Sequence, residues 1–71
     1  MIYVFRMRAT DYYKIGHTSA NSPECRRASL QTGCAHPLDL CATREGGEDD
    51  ERALHLRLWQ YHQHGEWFEL P

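Results

Sequence analysis

At 71 residues the chain has room for one domain and one core, and a domain of that size buries only about 60% of the surface its unfolded chain exposes. Hydrophobic residues at 41% and charged residues at 25% are ordinary for a globular chain and exclude disorder by composition. No apolar run reaches the roughly 18 residues of a membrane helix, and the net charge of −2 excludes a grip on nucleic acid by bulk charge alone.

That average hides a split. Residues 1–44 carry six Lys/Arg against three acids, and residues 45–71 carry two against seven. A basic front with an acidic helix behind it could hold a phosphate and a cation side by side. Arg6 and Arg8 interrupt the apolar start, so it reads as a strand and not as a signal peptide. The expectation is a cytoplasmic protein with no membrane partner. Cys25, Cys34 and Cys41 then read as reduced thiols without a disulfide framework.

Met1 to Met7 is β-branched and aromatic, and it suits a strand covered on both faces. Tyr12-Tyr13-Lys14-Ile15 is a second strand, ended by Gly16, and the short connection between them makes a hairpin. If Arg6 pairs near Asp11, Tyr3 lies opposite Lys14 or Ile15. Residues 17–21 are polar and loop-like. Ser22-Pro23-Glu24 starts a helix with an N-cap, a proline at the first position and an acid in the first turn. That helix runs to about Gln31 and stops at Thr32-Gly33, where glycine supplies the cap.

Leu38 to Arg44 alternates Leu38, Leu40 and Ala42 against Asp39, Cys41 and Thr43, a half-buried strand, and Gly46-Gly47 breaks it. Glu48 to Glu51 places four acids at a helix start, where the macrodipole favours them. Leu54, Leu58 and Tyr61 form the apolar stripe, helped by Ala53 and Trp59. His62-Gln63-His64-Gly65 ends the helix, and the aromatic tail Glu66 to Leu70 packs back on the domain. The expected fold is α/β of the α+β kind: one domain over residues 1–71, order ββαβα, a small central three-stranded sheet flanked by helices.

Five histidines and three cysteines invite a zinc reading, but no pair has the spacing of a structural zinc site. A second constellation is Tyr3, Lys14, Arg26 or Arg27, and Glu51. Phosphodiester hydrolysis needs a base for water, a cation for the crowded phosphorane charge, and a metal at the leaving oxygen. A tyrosine is a base only if its pKa near 10 is lowered, which a neighbouring lysine ammonium would do. Arginine suits phosphate because its guanidinium donates in a fork, and a lone carboxylate can hold a hydrated Mg2+. Each residue also has an ordinary use: Tyr3 as a core aromatic, Lys14 and Arg26 as solvated charges, Glu51 as a helix-start acid.

These residues resemble the GIY-YIG nuclease superfamily, most closely its small branch of phage open reading frames and fungal meiotically up-regulated proteins. Met1-Ile2-Tyr3 stands where the family has Gly-Ile-Tyr. Lys14-Ile15-Gly16-His17-Thr18 resembles the Lys-Ile-Gly-x-Thr of this branch, and Arg26 with Leu30-Gln31-Thr32-Gly33 resembles its Arg-x3-Leu-Gln-Thr-Gly block. Pro37-Leu38-Asp39-Leu40 fits its third strand. Glu51-x-x-Leu54-His55 and Gly65-Glu66-Trp67-Phe68 resemble its final helix and closing motif. The likeness covers nearly the whole chain in order.

The resemblance implies a DNA endonuclease that uses one metal, Mg2+ or Mn2+. Tyr3 would act on the attacking water, Arg26 on the scissile phosphate, and Glu51 on the metal. Lys14, at the motif's second tyrosine, would polarise the water or stabilise the phenolate. His17, Thr18 and Arg27 are candidate substrate contacts, with His55 and Glu66 in support. A domain this small implies a homodimer or a separate DNA-binding partner. Three departures stand beside the likeness: Met1 replaces the glycine, Leu30 replaces a histidine one turn after the arginine, and the late asparagine of the final helix has no counterpart. The alternative is a catalytically weak or inactive module that binds nucleic acid or protein.

Overall fold

The computed structural model describes residues 1–19 and 22–71, so part of the polar loop expected over 17–21 lies outside the described residues. Five strands form one antiparallel sheet: β1 (Ile2–Met7), β2 (Tyr12–His17), β3 (Leu38–Arg44), β4 (His62–His64) and β5 (Trp67–Glu69). They lie in the order β3-β1-β2-β5-β4. Two helices, α1 (Pro23–Gln31) and α2 (Glu48–Arg57), and a short 3-10 turn at Trp59–Tyr61 complete the chain. The α+β class holds; the three-stranded ββαβα order does not. The tail does fold back, and it does so by zipping onto β2, with Tyr12, Tyr13 and Lys14 opposite Glu69, Phe68 and Trp67. Gly65, in the left-handed region at φ 57°, turns β4 into β5, a conformation glycine adopts without strain.

The β1–β2 register differs from expectation. Tyr3 faces Gly16, and Arg6 faces Tyr13. The hairpin turn is responsible: Ala9 sits at φ 65°, Thr10 donates from N and Oγ1 to Met7 O at 3.1 and 2.6 Å, and Arg6 Nε donates to Thr10 O at 2.8 Å. On the other side of β1, Val4 faces Ala42 while Phe5 faces Leu40. Cys41 is therefore an extra, bulged residue, and it places Leu40 and Ala42 on opposite faces. The expected alternation of β3 is broken there, and only Leu38 of that strand is buried.

One face of the sheet packs Ile2, Ile15 and Phe68 against Leu54, Leu58 and Tyr61 of the second half of the chain, with Val4 and Leu70 at the margin. The expected stripe of α2 is present, but Ala53 is exposed and Trp59 is 57% exposed, so neither helps the core. The other face carries Tyr3 stacked on Phe5, ring centroids 4.6 Å apart, both fully buried. α1 runs beside β3 with none of its residues buried. Its start is extended at Ser22 without a side-chain cap bond, and Thr32 in right-handed backbone, not Gly33, caps its end.

The pairing of β5 carries the core, because Phe68 joins the sheet to α2. Phe68→Ala is expected to cost about 3–5 kcal/mol, comparable with the whole stability of a domain this small. Urea unfolding checks it; a loss under about 1 kcal/mol would separate the hairpin from the core.

Candidate active site

Tyr3 is fully buried, and its ring can reach its place only because position 16 has no side chain. A Cβ built on Gly16 would lie 2.5 Å from Tyr3 Oη and 2.9 Å from Glu66 Oε1. The phenol and the carboxyl of Glu66 thus meet over the glycine backbone. Arg26, one turn into α1, donates from Nε to Tyr3 Oη at 3.3 Å. Arg26 is exposed, and a guanidinium offers five donors in a planar fork. Arg27 points elsewhere and donates to Glu24 Oε2 at 2.7 Å. Between the two adjacent arginines, Arg26 stands at the tyrosine.

α2 supplies Glu51. Glu48, Asp49 and Asp50 share its first turn and are exposed, whereas Glu51 is 8% exposed. A position at the helix start explains three acids, not the fourth. His17 Nδ1 donates to Glu51 Oε2, which places that histidine on the carboxylate. His55, one turn further along α2, donates from Nε2 to Ile15 O at 2.8 Å and stands 3.5 Å from Glu51 Oε1, with its ring edge-on to Phe68 at 4.9 Å. Thr18 follows His17 and is tied to Met1: the Met1 amine donates to Thr18 O at 3.0 Å and Thr18 N donates to Met1 O at 2.9 Å.

Lys14 is the diagonal neighbour of Tyr3 on the same face of the β1–β2 ladder, since it faces Phe5 while Gly16 faces Tyr3. Its ammonium is 3.5 Å from Glu66 Oε1 and 5.4 Å from the centroid of Trp67. The indole escaped the sequence reading; the only signal for it was its place directly after Glu66 in the closing motif. The structure therefore brings together Tyr3, Lys14, His17, Arg26, Glu51, His55 and Glu66, and it leaves Arg27 paired with Glu24 instead.

The electrostatics follow from burial and from these partners. Burial raises the Tyr3 phenol above its ordinary value; the Arg26 hydrogen bond pulls it back, and the charges of Glu66 and Glu51 push it up again. Burial thus reverses the expected lowering, and the Lys14 ammonium stands against Glu66. Burial also raises Glu66, a hydrogen bond with Glu51 raises it further, and Lys14 only partly offsets both. Burial would raise Glu51 too, but the hydrogen bonds from His17 and Glu66 and the pull of both histidines hold it below the usual range. Of the two carboxyls, Glu66 is the one held above the usual range and Glu51 the one held below it.

Among the described residues no three His, Cys, Asp or Glu surround one point as metal ligands. The oxygen donors at hand are the Glu51 and Glu66 carboxyls. A hard cation that keeps several waters needs only one or two carboxylates, so this donor set suits Mg2+ or Mn2+ and not tetrahedral zinc.

Against known families, the chain matches the T5orf172 domain over residues 1–71. No curated protein and no solved structure matches it. Among the described residues no helix is long and apolar enough to cross a membrane.

Two outcomes test this geometry. Gly16→Ala forces a methyl group into Tyr3 and Glu66, and overpacking of this kind costs about 1–3 kcal/mol; unchanged urea stability would mean that the tyrosine can slide aside. The second concerns pH. Glu66 binds its proton more tightly folded than unfolded, so its contribution to stability is full below the ordinary carboxylate range and is lost as pH rises through its raised value. Glu66→Gln removes that loss. The variant should melt higher than the parent at pH 8, with the difference shrinking toward pH 4; a difference that grows as pH falls would reverse the assignment.

Proposed function

The chain belongs to the T5orf172 domain family, and from that footing we propose that it is a metal-dependent DNA endonuclease of the GIY-YIG kind. The family supports a nuclease or DNA-binding role. The observation that carries the finer reading is the meeting of three elements at one point: Tyr3 from β1, Arg26 from α1, and Glu51 from α2 beside Glu66. A buried phenol, an exposed guanidinium and a buried carboxylate are the parts phosphodiester hydrolysis asks of a protein.

In this reading Arg26 binds the scissile phosphate, using the donors of its fork beyond the Nε that holds Tyr3. Tyr3 enters as a neutral phenol and positions the attacking water at Oη. To act as a base it must lose its own proton, which burial and the two carboxyls oppose and Arg26 favours. Lys14 adds a positive charge on the same face, where it would polarise the water at Tyr3. Glu51 would hold Mg2+ or Mn2+, which when bound supplies a Lewis acid at the leaving oxygen. His17 and His55 fix the Glu51 carboxylate from two sides. Thr18, next to His17, and Arg27, next to Arg26, would serve as contacts for the DNA backbone.

A 71-residue domain has little surface for reading a DNA sequence, so specificity falls to a homodimer or to a separate DNA-binding partner. A second reading, a silent module that binds nucleic acid or protein, draws on the raised phenol of Tyr3 and on Arg26 being engaged by it.

Supercoiled plasmid separates the two. With Mg2+ or Mn2+ the protein should nick it, EDTA should stop the reaction, and Tyr3→Phe, Arg26→Ala and Glu51→Ala should each lower the rate by about a hundredfold or more. No nicking by the folded protein, or cleavage that persists in Glu51→Ala, would refute the metal-dependent reading.

A further inference from the structure

Lysine is a poor choice for a fixed charge, because its ammonium is strongly hydrated and its four-carbon stem is flexible. Lys14 is nevertheless only 15% exposed. It is also the single lysine among the 71 residues. Two consecutive residues meet it: Glu66 of the β4–β5 turn, its carboxyl at 3.5 Å, and Trp67 at the start of β5, its ring centroid at 5.4 Å. Trp67 is the cross-strand partner of Lys14, so the indole is delivered by sheet register. The turn itself is held at both ends. Ile15 N donates to Glu66 O at 3.0 Å, and Gly65 makes the left-handed bend that lets the strand return.

We propose that Glu66 and Trp67 are positioning residues that clamp the Lys14 ammonium on the Tyr3 face of the sheet, one as counter-charge and the other as an aromatic wall. The proposal rests on the reading in which Lys14 acts on the water at Tyr3. A cation over a ring face is held electrostatically by the ring quadrupole, and a poorly solvated ammonium needs a carboxylate to stay charged in place. The two contacts restrict different freedoms. Trp67 blocks the stem from swinging outward across β5, and Glu66 draws the tip toward Gly16, where its Oε1 and Tyr3 Oη come together. Removing either leaves the sheet intact and frees the lysine.

The single lysine makes the clamp directly observable. With lysine labelled in 13C and 15N, the side-chain methylene protons of Lys14 give one set of NMR signals. In the parent protein they should be shifted upfield by the indole and show NOEs to Trp67. Trp67→Leu should return them to random-coil positions, and Glu66→Gln should weaken the NOEs while the spectrum stays dispersed. On plasmid nicking both variants should lose about 10- to 100-fold in kcat with KM little changed, and Glu66→Asp should recover part of the loss. Random-coil Lys14 signals in the parent would overturn the clamp. So would Glu66→Gln with unmoved Lys14 signals and weakened Mn2+ affinity, which would put Glu66 on the metal. If the parent does not nick at all, the nuclease reading fails, and the NMR shifts still decide the clamp.

Discussion

Across the β1–β2 ladder Tyr3 lies flat over a residue with no side chain, and a Cβ there would come within 2.5 Å of its hydroxyl. The rest of the site hangs on that contact. Because the ring is pressed onto the backbone of Gly16, its hydroxyl emerges at the end of the sheet, where α1 passes with Arg26 and the β4–β5 turn passes with Glu66. A bulkier residue at position 16 would tilt the ring outward and separate the phenol from both. The stacking of Tyr3 on Phe5 limits movement in the other direction. The geometry is thus fixed by packing, and the polar groups gather around a ring that cannot move.

What gathers there is a balanced set of opposite charges with low exposure. Glu51 and Glu66 are two carboxyls within hydrogen-bond reach, which is tolerable only if a proton or a cation lies between them or beside them. The chain answers from both sides. His17 and His55 flank Glu51 and keep it ionised, while Lys14 approaches Glu66 without outweighing its burial. The asymmetry moves the two acids in opposite directions from local causes: the one that accepts from His17 beside His55 is held low, and the one beside Lys14, where desolvation prevails, is pushed up. A site arranged this way is sensitive to any cation that enters it, since a divalent ion would take over the work of the shared proton.

Much of this was legible from local signals, and the rest depended on distance in space. The bounds of α1 were readable from Ser22-Pro23 and Thr32-Gly33, although Thr32 and not the glycine caps its end, and those of β3 and the start of α2 from Gly46-Gly47 and four acids, because breakers and helix-start charges act within a few residues. The β1–β2 register was not, since it is set by the left-handed backbone of Ala9, a strain no propensity reveals. Nor was the bulge at Cys41, which reverses the faces of a strand whose letters alternate cleanly. The β4–β5 hairpin has three residues on each side, too few to display a period, and its sequence looked like a fraying helix end. Tyr3, Arg26 and Glu51 could be singled out by resemblance. The direction of the Tyr3 pKa could not, because burial decides it and burial is a property of the assembled sheet.

The distribution of charge then explains how a chain of net charge −2 can face a polyanion. Bulk attraction falls with the whole-chain charge, but association at a site is governed by the charges within about a Debye length of it, roughly 8 Å at physiological salt. Three acids of the α2 first turn are exposed and solvated, so they are screened; Glu51 and Glu66 are held by their own partners, His17, His55 and Lys14. The Arg26 guanidinium is exposed at the site, anchored through Nε to a buried phenol. A phosphate arriving there meets a fixed cation without first passing the carboxyls. Under the nuclease reading the acidic half of the chain therefore costs little in binding at the site itself, and it disfavours non-specific adhesion elsewhere on the surface. Under that reading a domain built so would gain its hold on DNA from a few placed donors, and its affinity should be weak unless a second copy or a partner adds contacts of its own.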